Sequence, residues 1–209
     1  MCSEKKDKPV TNFDSFVSPK QCAILFGIPT DMKQYLDDIN NENTNTRDFS
    51  FRFSKSEDLF EATLSKWFKF AEKKLSFISN TLGVQVQKNG TLDELKKLAN
   101  NYNVTILFSH STKQRIEFRN GLFTADQIIK HIPDGFDRLL DLSICHPYLL
   151  VNRLLRDRPA CVTIHHPWEI SPMLWLSILE IVFIRLQQGE ISYPNALKET
   201  ITEFRKKLY

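Results

Sequence analysis

Glycine is scarce in this chain, six residues in 209, and none of the six cluster after an apolar run. Neither a G-x-G-x-x-G fingerprint nor a P-loop is present to cradle a phosphate, so a flavodoxin-like or Rossmann nucleotide binder lacks its signature. Cysteine is sparse too. The four cysteines, Cys2, Cys22, Cys145 and Cys161, form no CxxC pair and show no metal-ligand spacing. A reducing, cytoplasmic compartment is the expected location, with no cofactor and no metal. Charge of one sign is also lacking: 28 Lys and Arg against 25 Asp and Glu leave a net +3. No Lys/Arg stripe is interleaved with aromatics, so direct contact with nucleic acid is not expected. The clusters "SEKKDK", "AEKKL" and "FRKKLY" read as solvated faces or tails. Long apolar runs are absent as well. "MLWLSILEIVFIRL" is interrupted by Glu180 and Arg185 and is too short to span a bilayer, so no membrane partner is expected. The first fifteen residues contain no apolar stretch of the kind a secretory signal needs.

What is present is the composition of one folded core. Hydrophobic content of 42% and charged content of 25% over 209 residues suit a single domain and are short for two. Residues 1–20, polar and carrying Pro9 and Pro19, read as a flexible N-terminal arm, and 21–209 as one domain. "CAILFGI", "NVTILFS", "RLLDLSI" and "ACVTIHH" are short, nearly continuous apolar runs, the pattern of strands buried on both faces. "FSFRFS" and "GVQVQ" read as further strands, and "RIEFRNGLFT" as a hairpin about Asn120-Gly121.

Between the strands lie helical patterns. "PTDMKQYLDDI" follows the first strand, with Thr30 or Asp31 as cap, and the asparagine-rich loop 40–48 comes after it. The segment from Ser56 to Gly83 places Leu59, Phe60, Leu64, Trp67, Phe68, Ala71, Leu75 and Ile78 at helical spacing. "TLDELKKLANN" opens with a capping box, Thr91 and Glu94, and Thr124 caps "TADQIIKHI". "PYLLVNRLLRD", "SPMLWLSILEIVFIRLQQG" and "YPNALKETITEFRKKL" complete the series. Alternating strands and helices predict a single α/β domain, its mostly parallel sheet covered on both faces in three layers.

In such a sheet, reactive groups gather outside the carboxyl ends of the strands. Two buried-strand patterns end there on chemistry-bearing residues, "VTILFSHS" on His110 and "RLLDLSIC" on Cys145. If the two strands are neighbours, an imidazole lies beside a thiol. A histidine raises the thiolate fraction of such a cysteine and returns the proton to a leaving amine. The start of the "PYLLVNRLL" helix favours the thiolate further, and backbone amides at these ends are available to an oxyanion. The structural alternative is two ordinary residues at two strand ends. His131 reads as surface, while His165 and His166 form a rival pair at another strand end without an acidic or cysteine partner for zinc.

The order of these motifs resembles a CHAT domain, a branch of the caspase-like (clan CD) cysteine peptidases related to separase. That family's pattern is an apolar strand ending in His-Gly, a hairpin, a helix, and an apolar strand ending in Ser-Ala-Cys. Here "VTILFSHS", "IEFRNGLFTADQII" and "RLLDLSIC" follow it, and "LVNRLLRDRPACVTIH" and "RLQQGEISYPNALKETITEF" match the downstream part. The resemblance covers about Asn103 to Leu208 and implies a caspase-like three-layer sandwich. It implies Cys145 as nucleophile, His110 as general base and acid, and the backbone N–H groups of Ser111 and Cys145 as oxyanion hole. The implied activity is that of a cysteine endopeptidase acting on protein substrates and switched on by a regulatory protein partner or a ligand. Bacterial relatives frequently serve in defence.

This chain departs from the pattern in two places. Ser111 stands where the family has glycine, and Cys145 is followed by His146-Pro147. Metacaspases carry an acid two residues before the cysteine, a position held here by Ser143, so a basic P1 preference has no support there. Asp141, Ser143 and His146 are the pocket candidates. No third, histidine-orienting acid can be named. The second reading is a catalytically inactive caspase-like interaction or scaffold module, in which the aromatic segment "FSFRFSKSEDLFEATLSKWFKF" serves as a partner surface.

Overall fold

A computed structural model describes residues 15–28, 57–111, 113–165, 171–189 and 191–208. Cys2, the helix expected from "PTDMKQYLDDI", the loop 40–48, the strand expected from "FSFRFS", the Ser56 cap and His166 all lie outside the described residues. Of the expected N-terminal arm, Pro19–Gln21 form a 3-10 turn that leads into the first strand.

Five strands build the central sheet: β1 (Cys22–Phe26), β2 (Gln85–Lys88), β3 (Val104–Phe108), β6 (Leu139–Ser143) and β7 (Val162–His165). Their order is β2-β1-β3-β6-β7, and every pairing among them is parallel. A hairpin, β4 (Arg115–Phe118) with β5 (Gly121–Thr124), follows β3. The helices are α1 (Glu57–Asn80), α2 (Leu92–Asn101), α3 (Ala125–Ile129), α4 (Tyr148–Asp157), α5 (Pro172–Gln188) and α6 (Tyr193–Leu208). The chain is therefore an α/β fold in three layers.

Alternation along the strands sorts the core into two halves. Ile24, Phe26, Ile106, Phe108 and Leu139 face a layer made by α1, α5 and α6, where Trp67, Leu75, Phe183 and Tyr193 are buried. Ala23, Leu25, Leu107, Leu140 and Leu142 face the opposite layer of α2, α3, α4 and the hairpin. β1, β3 and β6 are buried along their whole length, which explains why their sequences are continuously apolar instead of alternating. The step from β1 to β2 runs through α1 on one face. The steps from β2 to β3, β3 to β6 and β6 to β7 run the other way along the sheet, on the opposite face, so all four crossovers share one hand. The chain reverses direction between β1 and β3, the point where open α/β sheets hold their ligands.

Local signals act where the sequence places them. Thr91 Oγ1 accepts from Glu94 N at 3.4 Å while Glu94 Oε2 accepts from Thr91 N at 2.7 Å. Gly83 and Gly189 terminate α1 and α5 with φ of 77° and 86°. The hairpin turn differs from expectation by one residue. Phe118 pairs with Gly121, so Arg119-Asn120 form the loop; neither has positive φ, and Gly121 takes the unusual φ of 136°. A side-chain contact explains the choice: Asn120 Oδ1 accepts the first free amide of α2, Leu92 N, at 3.2 Å.

Two arginines, unremarked in the sequence, fix the layer behind the site. Arg138 Nη1 donates to the carbonyls of Asn100 (2.8 Å) and Tyr102 (3.2 Å), tying β6 to the end of α2. Arg158 donates to Ile129 O, Ile132 O and Asp157 O and pairs with Asp134 Oδ1 at 2.7 Å, its side chain only 12% exposed. Arg158→Ala leaves the Ile132 carbonyl without its donor, while Ile129 O keeps the Ile132 amide, an expected loss of about 1–3 kcal/mol. Arg158→Lys, a point charge without the planar fork, recovers only part of it. Urea unfolding of the two variants beside wild type measures both changes.

Candidate functional site

The β3–β6 register sets side by side the two strands that lead into the histidine and the cysteine. Val104 pairs with Leu139, and the ladder runs at constant offset to Phe108 and Ser143. Continued two residues beyond the strands, that offset sets His110 opposite Cys145. A second link beyond them keeps the same offset: His146 N donates to Ser111 Oγ at 2.9 Å, across 35 residues of chain. The two residues are thus bracketed between a backbone pair below and a side-chain hydrogen bond above, with neighbouring strands roughly 4.8 Å apart.

Alternation also sets their side. Ile144 belongs to the core beneath α4, and Ser109 Oγ donates to Glu117 O in the hairpin at 2.5 Å, on that same face. The same alternation, if continued one residue further, assigns Cys145 and His110 to the face of α1, α5 and α6. Both are half-buried.

The hairpin holds the His110 turn from the other flank. Glu117 N donates to His110 O at 3.0 Å, and Ser111 forms an isolated bridge with Ile116. A trans peptide points its C=O and N–H in opposite directions. With the His110 carbonyl committed to β4, the Ser111 amide is directed away from the hairpin, and no peptide among the described residues is cis. Cys145 lies two residues ahead of Pro147, the N-cap of the ten-residue α4, so the free amides of that helix start close by.

At the end of β1, Gly27 permits this packing. A Cβ there would stand 2.6 Å from Ser109 Oγ and 3.0 Å from the Glu117 carbonyl. Backbone cannot swing aside as a side chain does. Gly27→Ala is expected to cost about 1–3 kcal/mol and to raise the amide exchange rate of Glu117, which hydrogen-exchange mass spectrometry reads directly.

The pocket candidates are placed differently from one another. Asp141 has no solvent exposure, and both carboxyl oxygens are occupied, Oδ1 by the Ser143 hydroxyl at 2.9 Å and Oδ2 by the Tyr193 hydroxyl at 2.7 Å. Burial pushes its pKa up from 3.8 to about 6, against the smaller opposing effect of the two hydroxyl donors. Ser143 is buried alongside it, whereas His146 is half-buried and held by its amide to Ser111. Tyr193, 52 residues away in sequence, is the partner that sequence reasoning missed. The signal was available: an aspartate inside the apolar run "RLLDLSI" requires a buried donor.

The other histidines and cysteines stand apart. His131 lies in the turn after α3, its Nδ1 3.0 Å from Gln127 O and its Nε2 3.5 Å from Asp93. His165, exposed at the end of β7, meets the Tyr148 ring edge-on at 6.1 Å. Cys22 and Cys161 are buried core residues whose thiols burial pushes up to about 12. Among the described residues no three His, Cys, Asp or Glu side chains gather in a way that could hold a metal ion. No helix among them is long and apolar enough to cross a membrane. The aromatic segment is core where its side chains are described, with Trp67 and Phe68 buried under the sheet.

What the arrangement offers chemically is a half-exposed thiol and a half-exposed imidazole just past the ends of two paired strands, a directed backbone amide and a helix start. No family model matches the chain, and no curated protein matches it.

Proposed function

We propose that the chain is a caspase-like cysteine endopeptidase in which Cys145 is the nucleophile and His110 its acid and base. The constant offset of the β3–β6 ladder, maintained past the site by the Ser111–His146 bond, carries this reading. His110 takes the thiol proton, and the thiolate adds to a peptide carbonyl. The oxyanion that forms accepts from the amides of Ser111 and Cys145. On collapse, His110 protonates the leaving amine, and water then hydrolyses the thioester by the same two steps. Apolar surface beside the site suits a protein substrate or a regulatory protein partner: Tyr148, Leu149 and Leu155 of α4 are 51%, 50% and 60% exposed.

The test uses a set of tripeptidyl acyloxymethyl ketones varied at the residue next to the electrophile, with the adduct located by peptide mapping. The reading requires selective modification of Cys145 that depends on that residue and on a folded chain. Modification no faster than in urea-unfolded protein overturns it and favours the inactive interaction module.

A further inference from the structure

The main-chain ladder between β3 and β6 ends at Phe108 and Ser143, below the level of His110 and Cys145. Each chain then leaves the strand, with bends at Ile144 and Cys145. Above that point, the cross-link at the same offset comes from a side chain: the Ser111 hydroxyl accepts from the His146 amide at 2.9 Å. Ser111 is 2% exposed, so this bond is sheltered from competing water.

We propose that Ser111 is a positioning residue for the His110–Cys145 pair, its hydroxyl clamping the Cys145 turn to the His110 turn. The inference rests on the peptidase reading of the same site. Ser111 is itself fixed on the far side, since its bridge to Ile116 and the Glu117–His110 hydrogen bond anchor it to the hairpin. The clamp thus runs from hairpin to His110 turn to Cys145 turn, with no flexible side chain longer than serine in the path. It also commits the His146 amide. A glycine at 111 would keep the backbone amide and lose the clamp. Without the hydroxyl, the His146 amide loses its acceptor and the Cys145 turn gains freedom relative to His110. Loosened reacting groups lose rate steeply, because a thiol and an imidazole assist each other only at hydrogen-bond distance.

The experiment is the pH profile of Cys145 alkylation by iodoacetamide in wild type, Ser111→Ala and Ser111→Gly. Both variants are expected to label about tenfold more slowly at neutral pH, the factor one hydrogen bond represents. Their midpoints are expected to move toward about 8.5, the value of an ordinary thiol. A purely structural serine would change unfolding without moving that midpoint. Wild-type profiles in both variants overturn the positioning role while leaving the peptidase reading intact. An ordinary thiol profile already in wild type, indifferent to His110→Ala, overturns both. A measurement on the unaltered protein covers the case of variants that fail to fold. Hydrogen exchange at the His146 amide is expected to be strongly protected, and exchange at the rate of an open loop contradicts the clamp.

Discussion

His110→Ala is expected to slow alkylation of Cys145 by its preferred peptidyl acyloxymethyl ketone, in which the thiolate displaces the carboxylate, about 10²–10⁴-fold, the range a positioned acid–base group supplies. Cys145→Ala abolishes the adduct. Neither change should cost much stability, since both side chains are half-buried at strand ends and neither belongs to the two hydrophobic cores. The comparison isolates chemistry from folding, and thermal unfolding of the same samples verifies it. A loss of less than about threefold in His110→Ala would mean that the imidazole takes no proton from the thiol. The register would then be a structural coincidence.

Asp141→Asn is expected to stabilise the protein at neutral pH, against the common rule that core substitutions destabilise. The Asp141 carboxyl is fully buried, and its pKa is raised from 3.8 to about 6. A raised folded-state pKa means that the fold favours the protonated acid. Its contribution is complete below about pH 4 and is lost as pH rises through about 6. Above pH 7 the ionised group leaves the fold less stable than at pH 4 by about 3 kcal/mol. Asparagine carries no charge, and its amide presents an acceptor to one hydroxyl and a donor to the other, because Ser143 and Tyr193 can rotate their protons. Urea unfolding should show a gain of up to about 3 kcal/mol at pH 7.5 that shrinks to about 1 kcal/mol by about pH 4.5 and vanishes below about pH 3.5. Glu72 and Asp157 are shifted the opposite way by Lys88 and Arg156, but Glu72 is exposed and Asp157 partly so, and both pairs are screened by solvent, so they do not hide the trend. A variant less stable than wild type at pH 7.5 would show that the two hydroxyl bonds outweigh burial of the charge.

Much of the architecture was legible because it depends on short-range patterns. Continuous apolar runs marked β1, β3 and β6 as strands buried on both faces, and Thr91, Thr124 and Gly189 marked helix ends by side-chain or backbone chemistry confined to a few residues. The placement of His110 and Cys145 at the carboxyl ends of two strands was legible for the same reason. The pairing of those two strands was not, since strand order depends on how helices distribute over the two faces.

The supporting contacts were hidden for a different reason. Ser111 in a loop resembles any polar loop residue until its hydroxyl meets the His146 amide 35 residues away. Apart from the neighbouring Asp157 carbonyl, Arg158 and Arg138 act on carbonyls between 26 and 39 residues distant, and carbonyls leave no trace in a sequence. The hairpin turn moved off Asn120-Gly121 because a tertiary bond from Asn120 to α2 overrides the local preference of the dipeptide.

The dyad itself is tested most directly by the pH dependence of iodoacetamide labelling at each cysteine, read by peptide mapping in wild type and His110→Ala. Cys22 and Cys161 are internal controls, since burial raises both thiols to about 12 and shields them from the reagent. The account predicts fast labelling of Cys145 with a midpoint well below that of an ordinary thiol, collapsing to ordinary behaviour without His110. Labelling of Cys145 at the rate and midpoint of a simple exposed thiol, the same in both proteins, would contradict it.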